Sequence, residues 1–492
     1  MFRPTHIERT KTILIVVLFM TTILLFYFLW KDISFGGIKL PMDFLGQNEA
    51  KKTPIVEELI IPESISVNFG GDLYTKISNN TSDYWLSFSN EFSKFGESES
   101  IAISEITKAQ YEKATSFRSM EINFSYWLPF LEACNTLGIK TQASYSVIEA
   151  ISKITYSLAS PESILIYDGK NNKFYRMAAP TDVTKIKDLI LRIESVEQQK
   201  YYQLGAYLGI KNSTLMPVAT TSQMNKVEYN KELYASNPDT LQSFAESFFG
   251  KGFDFVRKIT ENDNTIIYMY GYGEKILILN TNGKFEYKEE FSETDYQDTS
   301  YFDSLNLAIS FISAHGGWST LNGNEFEARL VSASQIADTG KKGYQFIFQT
   351  NIMGQPISYE GSPYPIVVTI VGSQITSYQR DVLEIDQSEL DKLSQGEVRN
   401  TIPPIEIISK EYVYINDILS KEGETIIGDT SDQLFEFTAL KITNISTGYF
   451  KSNIDNEADI KRLLPAWIID INKTHIYFDL YSGEPLGYSK DI

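Results

Sequence analysis

The sequence predicts an α+β protein: an N-terminal single transmembrane helix followed by about three mixed domains, each an antiparallel sheet backed by helices. Three observations carry that prediction. An uninterrupted apolar run, Ile13 to Trp30, lies between Arg9-Thr10-Lys11 and Lys31-Asp32. At about 1.5 Å per helical residue it comes close to spanning a bilayer core. Every strand pair legible in the rest of the chain is joined by a short polar turn rather than a crossover helix, the mark of antiparallel pairing. Segments with apolar residues at helical spacing alternate with those hairpins.

The first element is the anchor. Arg3, Arg9 and Lys11 stand on its short side and Tyr27 and Trp30 at its far end. The positive-inside rule therefore places residues 1–12 in the cytoplasm, 13–30 in the bilayer and the bulk of the chain outside. The run is longer than a signal-peptide core and ends in Phe26-Tyr27-Phe28-Leu29-Trp30. The nearest small-x-small site is the poor Ser34-Phe35-Gly36, so the helix is expected to be retained. Thr21 and Thr22 are its polar groups at mid-depth. Their hydroxyls can bond a carbonyl one turn back or a neighbouring helix, and both readings stay open.

Residues 31–62 read as a juxtamembrane connector interrupted by Gly36-Gly37, Pro41, Pro54 and Pro62. An N-terminal domain follows over 63–230. Ile65, Val67 and Phe69 alternate in a strand stopped by Gly70-Gly71; Asp83 caps a helix carrying Trp85, Phe88, Phe92 and Phe95, with Gly96 as its left-handed stop. Ile164–Tyr167 and Lys173–Met177 flank a five-residue loop at 168–172, and Ile186, Leu189, Ile190 and Ile193 give the next helix its apolar face.

A central domain, 231–385, begins with Asp239-Thr240 capping Leu241, Phe244, Ala245 and Phe248 and closes that helix at Gly250. Ile276–Leu279 and Lys284–Tyr287 face each other across Asn280-Thr281-Asn282-Gly283. After Asp303, Leu305, Ala308, Ile309 and Ile312 make a helix stopped by Gly316-Gly317; Tyr344–Phe348, Ile366–Val371 and Gln374–Tyr378 are strands. The last domain, 386–492, has a short helix with Leu390 and Leu393, then strands ending in Trp467–Ile471 and a hairpin over 476–488. The boundaries fall near 62, 222–238 and 382–400. The hairpins at 277–287 and 476–488 share a form that convergent turn chemistry explains, though a duplicated helix-plus-sheet module would look the same.

Composition narrows the function. An apolar fraction of 42% is ample for several cores, and a net charge of -19 argues against a phosphate-binding surface, so nucleic acid is not expected as a partner. The same charge gains nothing from an anionic lipid surface, and membrane association should rest on the helix alone. Cys134 is the only cysteine, which rules out an intramolecular disulfide; it reads as a buried apolar residue.

With His6 cytoplasmic, His315 and His475 are the outer histidines. His315 precedes Gly316-Gly317 and reads as a cap of its helix; His475, in Asn472-Lys473-Thr474-His475 between strands, reads as an exposed turn residue. His-Gly-Gly resembles an esterase oxyanion loop, but no Gly-x-Ser-x-Gly elbow accompanies it. One Cys and two separated His do not make a zinc set, and the Asp168–Asn172 and Glu261–Asn264 segments do not match a calcium loop. No phosphate-binding glycine motif is present. No catalytic constellation, cofactor site or metal site is expected.

Several stretches, taken in order, resemble the YycH/YycI family of two-component system regulatory proteins, closer to its YycH branch. They are the basic N-terminus with its single helix, Ile61-Pro62-Glu63-Ser64-Ile65-Ser66-Val67-Asn68-Phe69-Gly70, and Leu233-Tyr234-Ala235-Ser236-Asn237-Pro238 before a helix. The likeness is clearest around Ala308 to Arg380. There a helix ending in Gly-Gly leads to Gly343-Tyr344-Gln345-Phe346, Gly354-Gln355-Pro356-Ile357, Val367-Val368-Thr369-Ile370 and Ile375-Thr376-Ser377-Tyr378-Gln379-Arg380. Residues 100–160 and 400–450 depart from the family pattern.

The resemblance implies a non-enzymatic, membrane-anchored, extracytoplasmic regulator of a cell-wall sensor histidine kinase in a Gram-positive bacterium. A YycI-like companion and the kinase are its implied partners, met partly through the membrane helix. Val17, Thr21 and Leu24, spaced by four and three, form one stripe of that helix and are the expected contact residues. Two rival readings are an exported peptide- or wall-fragment-binding module of PepSY-like type and a membrane-tethered hydrolase with two buried carboxylates about 5–9 Å apart.

Overall fold

Ile65 and Val67 alternate with polar neighbours, and pairing sets them opposite Ile122 and Met120 on one fully buried face. That register nucleates the first sheet of the structure, a computed structural model. It describes Pro54 and residues 56–491 except for short stretches at 79–80, 97, 99–100, 137–138, 140–142, 180–183, 197–198, 219–220, 233–237, 339 and 453–460. Lys52–Ile492 form one compact unit. The run 13–30, with Val17, Thr21 and Leu24, and the motif residues 233–237 lie outside the described residues. Among the described residues no helix is long and apolar enough to cross a membrane.

The first sheet consists of β1 (Ser64–Asn68), β2 (Tyr74–Ile77), β3 (Ala102–Ile106), β4 (Ser119–Pro129), β5 (Ala150–Ser157), β6 (Ser163–Asp168), β7 (Lys173–Ala178), β8 (Tyr201–Gln203) and β9 (Leu215–Pro217). Their order is β3-β7-β6-β5-β4-β1-β2-β8-β9, every neighbour antiparallel. Helices Thr81–Gly96 and Thr184–Ser195 bury the expected faces, Phe88, Phe92 and Phe95 on one and Ile186, Leu189, Ile190 and Ile193 on the other. Burial of each such side chain is worth roughly 1.5–3 kcal/mol.

Two local expectations need correction. The helix starts at Thr81 rather than at an Asp83 cap, and Gly96 is its last residue without a left-handed backbone. A Cβ on Gly96 would lie 2.3 Å from the Ile139 side chain, so close packing and not a turn requires glycine there. The loop at 168–172 is one residue shorter, because Asp168 pairs with Lys173. The buried Asp168 carboxylate accepts the backbone N–H groups of Glu149, Lys170 and Asn171, each at 3.1 Å, and so closes the turn.

The second sheet begins with Arg257–Thr260, Ile266–Tyr270, Lys275–Leu279 and Phe285–Glu289 and continues through Gln374–Arg380 and Ile366–Val371 to Lys341–Ile352. Glu327–Asp338 lies along the far side of that last strand. A hairpin at Ile352 leads into Gln355–Tyr359, which runs parallel to Ile442–Lys451, the one parallel strand pair among the described residues. Lys461–Ile471, Thr474–Asp479 and Pro485–Lys490 follow antiparallel, and Val227–Lys231 pairs with the start of Lys461–Ile471. The α+β class with antiparallel sheets backed by helices is what the chain adopts.

The helix after Thr299 starts at Tyr301, capped by Ser300, whose Oγ accepts the N–H of Asp303 at 3.1 Å; Asp303 is inside the first turn. The next helix start expected from Asp239-Thr240 lies at Pro238, whose missing N–H suits a first turn. Residues 400–450 hold two helices, Pro404–Lys421 and Ser431–Lys441, where strands were expected. Pro404 opens the first, and Ile407, Ile408, Ile415, Ile418 and Leu419 form its buried face; Thr430 and Gln433 make a capping box for the second.

Three times a helix leads into four strands paired in sequence, two longer and then two shorter. Lys108–Thr115 precedes β4 to β7. Tyr301–Ala314 precedes Glu327–Asp338, Lys341–Ile352, Ile366–Val371 and Gln374–Arg380, with Gln355–Tyr359 inserted. Ser431–Lys441 precedes Ile442–Lys451, Lys461–Ile471, Thr474–Asp479 and Pro485–Lys490. In this order the hairpin at 474–490 takes the place of 366–380, and the hairpin at 275–289 takes the corresponding place after the helix Pro238–Phe249, which leads into four shorter strands paired in sequence.

Candidate functional site

The end of the strand Gln374–Arg380 carries a fully buried guanidinium. Arg380 Nε and Nη2 donate to Glu232 Oε2 and Oε1 at 3.0 and 2.7 Å, Nη1 donates to the Gly317 carbonyl at 2.6 Å, and Nη2 also reaches the Ser319 carbonyl at 2.7 Å. Glu232 Oε1 accepts the Leu321 N–H at 2.9 Å as well. Burial opposes the Arg380 charge, but Glu232 and Tyr378 outweigh it and hold the group above its ordinary value. The Gly316-Gly317 pair has φ of 102° and 73°, and a Cβ on Gly316 would meet Arg380 Cζ at 3.2 Å. Backbone and guanidinium together demand glycine at 316. The Gly-Gly and the Arg of the family-like stretch thus meet at one buried centre, whereas Glu232 gave no sequence signal.

A second polar centre is built on the C-terminal hairpins. His475, expected as an exposed turn residue, is instead the second residue of the strand Thr474–Asp479, its side chain only 18% exposed. Its Nδ1 bonds Asp470 Oδ1 at 2.7 Å and its Nε2 bonds Asp491 Oδ1 at 2.8 Å. The turn proper is Asn472-Lys473, which leaves His475 facing Asp470 in register across the hairpin. Burial alone would lower its pKa; the two carboxylates overcome that and raise it to about 10, so an imidazolium donating from both nitrogens fits the site.

Other groups extend this centre. Tyr364 donates its hydroxyl to Asp491 Oδ1 at 2.5 Å. Asp470 Oδ2 accepts Asn444 Nδ2 at 2.9 Å, and Asn444 Oδ1 accepts Lys76 Nζ of β2 at 2.5 Å. Lys451, 7% exposed, pairs with Asp381 at 3.0 Å beneath the Tyr359 ring. Arg380 and its neighbour Asp381 thus bind partners on opposite sides of one strand end.

His315 caps its helix as expected, with Nδ1 2.7 Å from the Phe311 carbonyl one turn back, and Nε2 also reaches the Ser247 carbonyl at 3.1 Å. Burial, its leading influence, lowers its pKa, and its ring packs against Phe248 and Phe311. Cys134 is fully buried with its thiol pushed up to about 12 by burial. The buried carboxylates Asp168, Glu232 and Glu384 are each engaged by backbone N–H groups, Arg380 or the Asn322 and Asn324 amides. Among the described residues no group of three or more His, Cys, Asp or Glu side chains is placed to hold a metal ion. These centres tie segments of the chain to one another.

The sequence matches no family model and no curated protein. Its architecture has a counterpart in the crystal structure of YycH from Bacillus subtilis, at a TM-score of 0.52 over 87% of this chain and 97% of that one, with 14% identical residues. The chain has the fold of YycH. The C-terminal domain of YpeB from Bacillus megaterium also overlaps, with 13% identity, 52% of this chain, 97% of that one and a TM-score of 0.22. In this fold the family-like stretch 308–380 runs from the helix Tyr301–Ala314 through the central meander, and 61–70 enters the first sheet through β1.

Proposed function

We propose that this protein is a non-enzymatic, membrane-anchored, extracytoplasmic regulator of a cell-wall sensor histidine kinase, acting by contacts made through its membrane helix and its outer domains. A YycH fold over 87% of the chain is the observation that carries the reading. The family-like stretches and the apolar run at 13–30 support it. In this reading residues 1–12 are cytoplasmic, 31–492 lie outside, and the domains are 63–230, 231–385 and 386–492. A YycI-like protein is the companion.

The helix biases the kinase by packing better against one of two arrangements of the kinase's own membrane helices. A difference of about 1.4 kcal/mol in that packing changes the ratio of the two states tenfold. Cysteine substitutions at Val17, Thr21 and Leu24 should crosslink to the co-expressed kinase, while positions on the opposite helix face should not. An unrelated anchor that leaves both kinase association and kinase output unchanged would remove the helix from the mechanism. Protease added to protoplasts should digest nearly the whole chain; survival of the large domain would reverse the orientation.

A further inference from the structure

Lys76 is aimed at an amide rather than at a carboxylate. Strand β2 sets it opposite Ser66, on the face of the first sheet turned away from buried Thr75 and Ile77. Its Nζ lies 2.5 Å from Oδ1 of Asn444, 368 residues further along the chain, and it forms no ion pair among the described residues. Asn444 follows a bulge in Ile442–Lys451 and stands opposite Asp470 in register. Its Nδ2 donates to Asp470 Oδ2 at 2.9 Å and to Glu63 Oε1 at 3.3 Å, Glu63 being the residue before β1. That network fixes the orientation of the amide, since the reverse flip would set its carbonyl oxygen against two carboxylates.

The arrangement has the parts of an acyl transfer. With a C=O bond of about 1.23 Å, an amine 2.5 Å from Oδ1 stands within about 3.7 Å of Cγ. Reaction needs about 3–3.5 Å, and the flexible lysine stem supplies the remaining movement. Burial of the amine outweighs Glu63 and Asp470 and, with Lys153 adding to the fall, lowers the Lys76 pKa, which favours the form that carries a lone pair. The two carboxylates sit on the nitrogen that has to leave, where protons must arrive. His475, bonded to Asp470 Oδ1 and to Asp491, holds Asp470 in place and leaves Oδ2 to the amide. On the same face of the sheet Lys153 pairs directly with Glu121 at 2.9 Å; Lys76 stands across the amide from both of its carboxylates.

We propose that Lys76 and Asn444 join in an intramolecular isopeptide bond that ties β2 to the strand Ile442–Lys451. The Lys76 ammonium passes one proton to the Glu63 or Asp470 carboxylate, and the neutral amine attacks Asn444 Cγ. The Nζ–Cγ bond forms and the Cγ–Nδ2 bond breaks. Nζ gives up a second proton as the amide forms, the leaving Nδ2 collects both protons through the carboxylates, and ammonium departs. One ammonium side chain and one carboxamide thus become one secondary amide and one free ammonium ion, with no oxidant or co-reactant. Proximity drives the step, since well-oriented groups reach effective molarities on the order of 10⁵ M or more. In a chain whose only cysteine is Cys134 this is a covalent crosslink that needs no disulfide, and it fixes the first sheet against the C-terminal one.

Mass spectrometry of the full chain, purified in detergent, tests this. The intact mass should fall short of the sequence by one ammonia. Trypsin should skip the acylated Lys76 and release one branched peptide joining 53–94 to 442–451. The branched peptide separates this bond from ammonia lost by cyclisation of an asparagine. Lys76→Arg should restore the missing mass and cleavage after residue 76. Glu63→Gln and Asp470→Asn, scored on chains whose buried Cys134 resists Ellman's reagent, should each lower the crosslinked fraction at a fixed time at least about tenfold. A folded native chain that keeps its full mass after prolonged incubation and yields 442–451 as a separate peptide would reduce the contact to a hydrogen bond and overturn the proposal. Ammonia loss mapped to another residue, or crosslinking unchanged in both carboxylate variants, would overturn it equally.

Discussion

Replacing Arg380 by methionine removes the group that holds Glu232 and two carbonyls, and the geometry sets the size of the loss. Glu232 is 1% exposed and would lose both of its bonds to the guanidinium, while the Gly317 and Ser319 carbonyls would lose this donor. Breaking a buried pair by removing one partner costs about 3–5 kcal/mol. At about 2–4 °C per kcal/mol the melting temperature should fall by roughly 6–20 °C.

Trp318 lies between the two affected carbonyls, 9% exposed, and its fluorescence in a thermal or urea transition reports the site directly. Adding Glu232→Gln removes the buried carboxylate that Arg380 was paired with, so the double variant should recover roughly 2 kcal/mol relative to Arg380→Met alone. A loss below about 1 kcal/mol, or a double variant no better than the single one, would refute the argument that Arg380 acts through Glu232.

Three further outcomes are expected. His475 has a folded pKa of about 10 against 6.5, so its contribution is complete below pH 6.5 and is lost as pH rises towards 10. The stability difference between the native chain and His475→Gln should decline by up to about 1.4 kcal/mol per pH unit across that window, and a pH-independent difference would show the ring to be neutral. Cys134 should resist Ellman's reagent in the native protein and react on unfolding; rapid native labelling would contradict its burial. A Cβ on Gly343 would stand 2.3 Å from the Ile370 carbonyl oxygen, so Gly343→Ala should lower stability by about 1–3 kcal/mol in a urea titration.

Much of the architecture was legible because it depends on local pattern. The helix faces at Phe88, Phe92 and Phe95 or at Ile186, Leu189, Ile190 and Ile193 are written at helical spacing, and the 277–287 hairpin is written in its Asn-Gly turn. Helix starts slipped by two to three residues because several polar residues near each start can cap it. The two helices at 404–441 carried readable signals in Pro404 and in Thr430 with Gln433, which the strand reading of this region passed over. The polar centres were not legible. Glu232 and Arg380 are 148 residues apart, and His475 reads as a turn residue until pairing places Asp470 opposite it and Asp491 beyond it.

Those distant pairings have a common geometry. Arg380 and Asp381 are consecutive, yet the first binds Glu232 beside the strand Val227–Lys231 and the second binds Lys451 at the end of Ile442–Lys451. One strand end therefore joins the central meander to two strands of the C-terminal sheet, and the Asn444 amide on the second of these also accepts Lys76 from the first sheet. Buried charge is a poor source of stability, since a well-packed apolar substitute often does as well, but it discriminates strongly against any displaced arrangement. Regulation by contacts, as proposed above, requires surfaces held in fixed relation. Placing charge at the crossings of its sheets, and apolar packing within them, makes sliding one meander past another cost more than moving both together.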